Sequence, residues 1–248
     1  MKQKSLCFLL AVFMVLSILS PMTVLAATSA TSGLLLSETF ANNALSEKMT
    51  TNRLTDASRF KLATVSGVAG ISNAATLAKN SVYLQGALPE INVSKATAFE
   101  SEGPNAAVHV ELDVNLNNKQ VKETPYAIAL GDGSAYTPLA ICFDPATKTI
   151  KKIQSNGNLF SSGIVLSYFV DFATPVQYEF DTWYRLKLVL KVTNATTYER
   201  KYDVYLNGVK VVENEPVYQH NSAIVNSLKI WCNSGGNTDG KDTMTVAN

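Results

Sequence analysis

Apolar and polar residues alternate along several stretches of the chain, most clearly in VHVELDVNL, residues 108–116. Every second residue from Val108 to Leu116 is apolar, and the residues between them are polar. The stretch WYRLKLVLKV, residues 183–192, repeats this pattern. A period of two residues is typical of a β-strand with one buried and one solvent-facing side. Both stretches are therefore predicted to be strands of antiparallel sheets.

The segment YDVYLNGVKVV, residues 202–212, predicts a β-hairpin. The dipeptide Asn207-Gly208 fits a two-residue type I′ turn, in which both central positions have positive φ. The register that follows pairs Leu206 with Val209 and Val204 with Val211 on one face, and Tyr205 with Lys210 on the other.

Many more short segments have strand character, and turn-rich stretches separate them. They are GLLLSETF (33–40), SRFKLATV (58–65), SVYLQG (81–86), PYAIALG (125–131), PLAICFD (138–144), KTIKKIQ (148–154), IVLSYFVDF (164–172), VNSLKIWCN (225–233) and DTMTVAN (242–248). Helical composition is confined to short segments around Asn43–Lys48 and Asn73–Lys79. Short strands with little helix predict an all-β fold, a two-sheet antiparallel β-sandwich of the jelly-roll type. We expect residues 27–248 to form this single domain.

The first 26 residues have the order of a secretory signal peptide. Lys2 and Lys4 precede an apolar run over residues 5–20, and Val24 and Ala26 supply a V-x-A cleavage pattern. An uncleaved membrane anchor over residues 5–27 is the alternative, since that length just spans a bilayer. We expect cleavage after Ala26, a secreted protein, and no membrane association once the signal is removed.

The net charge and the cysteine content indicate which ligands and which cross-links to expect. Removal of the two signal-peptide lysines changes the net charge from +1 to −1. A near-neutral chain without basic clusters is a poor nucleic-acid binder, because phosphate binding needs concentrated Lys and Arg. Cys142 and Cys232 remain after cleavage, and export would permit a disulfide, but two buried free thiols are the simpler interpretation. A monomer is expected.

The order of these signals resembles a known superfamily. The strand within YEFDTWYRLKLVL is followed by YDVYLNGVKV, then by LKIWCN, a loop rich in Gly and Asn, and an Asp-led last strand, DTMTVAN. An early LLLSETF precedes them all. This order resembles the concanavalin A-like lectin and glucanase superfamily, in the laminin-G-like form common in secreted bacterial proteins. The resemblance implies a jelly-roll sandwich, but its members include lectins, carbohydrate-binding modules, glucanases and polysaccharide lyases.

Glu111 and Asp113 lie on the polar side of residues 108–116. Laminarinase-type members of the superfamily carry E-x-D-x-E or E-x-D-x-x-E on a strand, and these two residues match its first two positions. The third position falls on Asn115 or Leu116, neither of which can act as a general acid, whereas retaining hydrolysis needs two carboxyl groups with separate roles. Glu111 and Asp113 are thus catalytic candidates only if the protein is an enzyme. A solvated strand face or a sugar-binding role is the alternative, and His109 belongs to the same side.

Trp231 is the most informative candidate for sugar binding. Alternation in LKIWCN places Leu228, Ile230 and Cys232 on the dry side and Lys229, Trp231 and Asn233 on the polar side. An outward tryptophan beside a polar loop is a candidate stacking platform, because sugars bind to flat aromatic faces together with a few polar groups. The alternative is that another segment covers this tryptophan. Trp183 and the tyrosines Tyr136, Tyr168 and Tyr205 are weaker candidates.

The resemblance also implies a structural Ca²⁺ site. In related sandwiches an acid near the first strand and an Asp at the start of the last strand share the ion, and here these positions are Glu38 and Asp242. Turn-forming Asp and Asn need no metal.

Together these features predict a secreted, lectin-like carbohydrate-binding module for a polysaccharide or cell-surface glycan, built from Trp231, Lys229, Asn233, His109, Glu111 and Asp113. A glycoside hydrolase or polysaccharide lyase is the first alternative, and a structural or interaction domain of a larger surface protein is the second.

Overall fold

The computed structural model describes residues 36–52, 54–78, 82–92, 107–117, 125–131, 137–154, 166–194, 199–218, 224–232 and 242–247. The signal peptide predicted for residues 1–26 lies outside these ranges and stays a prediction. Within the described ranges, no helix has the length and apolar character that crossing a membrane would require.

The described part of the chain contains fourteen strands. They are β1 (Met49–Thr51), β2 (Phe60–Thr64), β3 (Asn73–Ala78), β4 (Val82–Asn92), β5 (Ala107–Asn117), β6 (Tyr126–Gly131), β7 (Leu139–Asp144), β8 (Thr149–Ile153), β9 (Phe169–Gln177), β10 (Trp183–Asn194), β11 (Glu199–Leu206), β12 (Val209–Pro216), β13 (Ile224–Cys232) and β14 (Thr243–Ala247). Sheet I has the strand order β1-β4-β13-β6-β7-β8-β9, and sheet II has the order β12-β11-β10-β5-β14-β3-β2. The two antiparallel sheets confirm the predicted β-sandwich.

The main hydrophobic core contains side chains from both sheets, as a sandwich requires. Strand β5 shows why its sequence folds this way. Its alternate residues from Val108 to Leu116 all join this core, whereas His109 and Glu111 are exposed on the other face. The predicted dry and wet sides of this strand are confirmed.

The central strands β6 and β7 of sheet I are buried on both faces. Their inner residues, such as Ile128 and Ile141, join the main core, and their outer residues are small: Ala127, Ala129, Ala140 and Cys142. These small residues form the floor of a second apolar cluster on the outer face of sheet I. Both faces of this sheet therefore exclude water at its centre.

The two cysteines are buried and are not joined in a disulfide. Cys232 belongs to the main core, whereas Cys142 belongs to the outer cluster of sheet I. The sheet itself separates the two thiols, and burial raises the pKa of Cys142 well above its usual value. The simpler interpretation, two buried thiols, agrees with the structure.

The strand predicted over residues 33–40 is wrong where the structure describes it. Residues 36–40 form no strand and lead into a 3₁₀ turn at Ala41–Asn43. The Glu38 carboxylate accepts the backbone N–H groups of Phe40 and Ser46, each at 2.8 Å. Phe40 has a left-handed backbone with φ of 50°, so the segment curls around Glu38 instead of pairing with a sheet.

The two segments of helical composition are not α-helices in the described residues. Asn73–Ala78 is strand β3, paired with β2 and β14, because Ala75 and Leu77 fill the inner face of the sheet and override the helix propensity of alanine. Residues 44–48 are coil and turn. In the predicted strand 164–172, residues 166–168 form a 3₁₀ turn and the strand begins at Phe169.

The predicted hairpin is confirmed, with two register shifts between β11 and β12. Asn207 and Gly208 have φ of 51° and 80°, as a type I′ turn requires. Leu206 pairs with Val209 and Tyr205 with Lys210, but Val204 pairs with Val212 rather than Val211. Each shift leaves one extra residue on β12, as a β-bulge does. The turn also contacts β10, because the Asn207 Oδ1 atom accepts the Arg185 backbone N–H at 2.8 Å.

Replacing Gly208 with alanine should lower the free energy of unfolding by about 1 kcal/mol, because an L-residue pays to adopt positive φ. A Cβ at this position would meet no atom within 4 Å, so the cost comes from the backbone alone. Gly208→Asn is the matched control and should cost less, because asparagine tolerates the left-handed region. Urea denaturation of both variants measures the difference, and equal costs would argue against the type I′ turn.

Candidate functional site

The residues predicted to bind a ligand do not form one groove. His109, Glu111 and Asp113 lie on the outer face of sheet II, because the residues that alternate with them face the main core. Lys229 and Trp231 lie on the outer face of sheet I, and Asn233 lies outside the described residues. The whole sandwich separates the two groups, so a single site with all six residues is excluded.

Arg185 organises the candidate site on sheet II. Strands β5 and β10 are paired so that Arg185 lies opposite Asp113, and Lys187 lies opposite Glu111. The guanidinium donates from Nε to Glu111 Oε1 at 2.8 Å and from Nη1 to Asp113 Oδ2 at 2.9 Å. Such a planar fork held by two carboxylates has little freedom left. The predicted carboxylate pair therefore fixes the orientation of the Arg185 guanidinium.

This arrangement keeps Arg185 charged and leaves His109 neutral near pH 7. Partial burial acts to lower the pKa of Arg185, but the hydrogen bonds and charges of Glu111 and Asp113 outweigh it and raise that pKa. Although His109 is largely exposed, partial burial of its ring lowers its pKa, and the charge of Lys187 lowers it further, against the opposite effect of Glu111.

An exposed strip surrounds the guanidinium. The Arg185 side chain is 47% exposed although two of its nitrogens are engaged. Lys187 makes one long contact with Glu111, 3.9 Å between Nζ and Oε2. Tyr205 lies across from Lys187 on β11, and the Lys210 ammonium lies 5.6 Å from the centre of its ring. We call Arg185, Lys187, Tyr205 and Glu111 the arginine strip.

The geometry gives no support to a retaining hydrolase built on this strand. Glu111 and Asp113 both accept hydrogen bonds from one guanidinium, whereas a general acid must donate a proton. Leu116, one of the two places for the missing acid, is sealed in the main core, and Asn115, the other, cannot supply a proton. Glu179 and Asp181 in YEFDTWY also match the first two positions of the motif, and Glu179 is engaged, since it binds Lys148 at 2.7 Å.

Trp231 is on the predicted face of β13, but it is not an exposed platform. Only 2% of it is exposed. It packs in the outer cluster of sheet I with Ile153 and Phe169, and Leu166, Tyr168 and Tyr218 pack against the same cluster. The alternative that other segments cover this tryptophan describes the structure correctly, and any contact of Trp231 with a ligand stays a prediction.

Lys229 lies beside Trp231 and is also buried, with 5% of its surface exposed. Its ammonium lies 4.2 Å from the centre of the Tyr83 ring and 5.0 Å from that of Trp231. Burial lowers the pKa of Lys229 to about 8. Lys229 is therefore an enclosed cation between aromatic rings, and the predicted solvent-facing position is wrong.

Trp183 lies on the outer face of sheet II and is half-buried. It packs against a small cluster containing Ile71, Ala74 and Ala247, which the segment between β2 and β3 helps to form. Trp183 therefore packs structurally, and any contact with a ligand stays a prediction.

The calcium prediction for Glu38 and Asp242 remains untested. Glu38 already uses both carboxylate oxygens to hold the 40–46 turn. Asp242 is fully buried just before β14. The pKa of Tyr126 is raised mainly by burial, then by Cys232, and then by the charge of Asp242. Within the described residues, no group of three or more His, Cys, Asp or Glu side chains is arranged to hold a metal ion.

Sequence reasoning missed Arg185 and Lys187 as members of the site. Both lie on the polar side of WYRLKLVLKV, which was visible in the sequence. Their meeting with Glu111 and Asp113 depends on the register between β5 and β10, and these strands are separated by about 70 residues along the chain.

Comparison with known proteins supports the fold. No protein-family model matches the chain, and no curated protein matches it in sequence. A botulinum neurotoxin type C structure, reported for its interaction with two ganglioside molecules, has a TM-score of 0.51 at 8% identity, over 86% of this chain and 46% of that one. The alginate lyase Aly36B has a TM-score of 0.47 at 10% identity, over 73% and 80% of the two chains. A sialidase has a TM-score of 0.44 at 12% identity, over 77% and 16%. The chain thus spans less than half of the toxin and sialidase structures, and the likeness to the toxin establishes a shared β-sandwich fold.

Proposed function

We propose that this chain is a carbohydrate-binding β-sandwich of the concanavalin A-like type, which binds glycan on the arginine strip without cleaving it. The observation that carries the proposal is the exposed Arg185 guanidinium, fixed by Glu111 and Asp113. Export from the cell, a monomeric state and a structural calcium near Glu38 and Asp242 belong to the same proposal.

The arginine strip has the chemical features that sugar binding uses. Sugars present hydroxyl oxygens on a ring with apolar faces, and their sites combine an aromatic surface with a few fixed polar groups. Arg185 supplies fixed donors, and Tyr205 supplies a ring two strands away from Glu111. Because the guanidinium is already held by two carboxylates, ordering it on binding costs little entropy.

The dimensions also suit a sugar. Neighbouring strands lie about 4.8 Å apart, and residues on one face of a strand recur about every 7 Å. The strip therefore spans roughly one to two monosaccharide units. The botulinum toxin that shares this fold interacts with gangliosides, which provides an analogy at the level of fold.

Arg185→Gln should weaken glycan binding by about 10-fold or more, because a hydrogen bond to a charged group contributes about 1.5–3 kcal/mol. A glycan array identifies the binder, and calorimetry with that glycan measures the affinity. Tyr205→Ala tests the same surface without disturbing the ion pair and should also weaken binding.

Arg59→Gln is the matched control. Arg59 binds Asp56 through Nε at 3.1 Å, and its side chain is also partly exposed, but it lies just before β2, at the far edge of sheet II from β10. Undiminished binding by both Arg185→Gln and Tyr205→Ala would contradict the proposed site. Release of reducing ends from a bound glycan, abolished in Glu111→Gln, would contradict binding without cleavage.

A further inference from the structure

We propose that the glycan bound by the arginine strip is anionic and carries carboxylate or sulfate groups. This inference rests on the proposed function and adds the chemical class of the ligand. It follows from which hydrogen-bond donors and acceptors of the strip are paired within the protein and which face solvent.

Glu111 in the strip and Asp113 beside it both accept hydrogen bonds from Arg185, and the Glu111 side chain is 40% exposed. Asp113 is 7% exposed and accepts from Arg185 Nη1. Glu111 accepts from Arg185 Nε through Oε1, and Lys187 lies 3.9 Å from its other oxygen. Arg185 and Lys187 thus balance the charges of Glu111 and Asp113, and the hydrogen-bonding groups that remain unused decide which ligand fits.

Arg185 and Lys187 keep hydrogen-bond donors that can reach a ligand. Within the described part of the chain, Arg185 Nη2 has no hydrogen-bond partner, since the two bonds of this side chain use Nε and Nη1. Among the residues that the structure describes, the Lys187 ammonium makes only its long contact with Glu111, and about a third of its side chain is exposed. The strip thus offers mainly cationic donors to a ligand.

The neighbouring lysines differ from Arg185 and Lys187 because each is paired closely with carboxylates. Lys191 binds both oxygens of Asp203 at 2.8 Å, and Lys210 binds Asp203 and Glu213 at 3.2 and 2.9 Å. Those lysines are held by their own carboxylates. A ligand that complements the exposed donors must be rich in acceptors, and an anionic group at Arg185 and Lys187 satisfies this best.

The test is a glycan array that presents uronate-containing, sulfated and neutral glycans side by side. We expect the binders to be uronate-containing or sulfated glycans, and the array separates these two sources of charge. Binding confined to neutral glycans would overturn this inference and leave the proposed function standing. Absence of binding to every class would overturn the proposed function and this inference with it.

A matched ligand then isolates the charge. For a uronate binder, reduction of its carboxylates to primary alcohols should weaken binding by about 10-fold or more; for a sulfated binder, desulfation should do the same. Lys187→Gln should weaken binding of the charged form by about 5-fold and reduce its salt dependence, without affecting the uncharged form. Equal affinity for the charged and uncharged forms would overturn the inference.

Discussion

Trp231→Ala should lower the free energy of unfolding by about 3 to 5 kcal/mol, because it removes a large side chain from a packed cluster. The indole lies on a floor of small residues on the outer face of sheet I, against Phe169 and Ile153. Those floor residues are themselves fully buried and cannot move in to fill the cavity. Guanidinium denaturation measures the loss, which should appear as a lower midpoint with an unchanged slope.

Two control variants separate packing from recognition. Trp183→Ala should cost less, since Trp183 is only half-buried and packs against a smaller cluster. Trp231→Phe should recover part of the lost stability, because an aromatic ring still occupies the cavity. A Trp231→Ala variant of unchanged stability that loses glycan affinity would show that Trp231 is a ligand platform after all.

The fold was predictable because local signals agreed with one another. The two-residue period of 108–116 gave the inner face of β5, and Asn207-Gly208 gave the turn between β11 and β12. Each of these features is decided within a few residues, by side-chain alternation or by backbone φ. Neither depends on a distant segment.

The errors arose where distant segments decide the structure. Asn73–Ala78 has helical composition, but its small residues fit between β14 and β2, and sheet pairing outweighs a weak propensity. Alternation assigned Trp231 to the correct face of β13 but could not show what covers that face. A clue was present in YAIAL, residues 126–130, and LAICF, residues 139–143, which are apolar at every position. Such runs are typical of strands buried on both faces.

The candidate site shows the same limit. Glu111 and Asp113 were recognisable as a polar pair, but their function as a mount for Arg185 required the register of β5 against β10. Register between strands so far apart in sequence is fixed by the packing of the whole sheet. The sequence also suggested one site from residues that the sandwich places on opposite surfaces.

Lys229→Met should remove a pH dependence of stability that is specific to this lysine. The pKa of Lys229 is about 8 in the folded protein, against 10.5 for an ordinary lysine. Below pH 8 the lysine is protonated in both states, and burial of the ammonium lowers the stability of the folded protein. Between pH 8 and 10.5 the unfolded chain binds more protons than the folded one, so the stability of the wild type should rise with pH. The rise should amount to about 3 kcal/mol.

The measurement is the difference in free energy of unfolding between the wild type and Lys229→Met at pH 7, 8.5 and 10, because other titrating groups are common to both proteins. Methionine also packs well against the rings of Tyr83 and Trp231, so the variant should match or exceed the wild type at pH 7. The attraction of an ammonium to these rings contributes about 0.5 to 2 kcal/mol in the opposite direction and would reduce the rise. A difference that stays constant from pH 7 to 10 would show that the ammonium is solvated, and would therefore contradict the burial of Lys229 against sheet I.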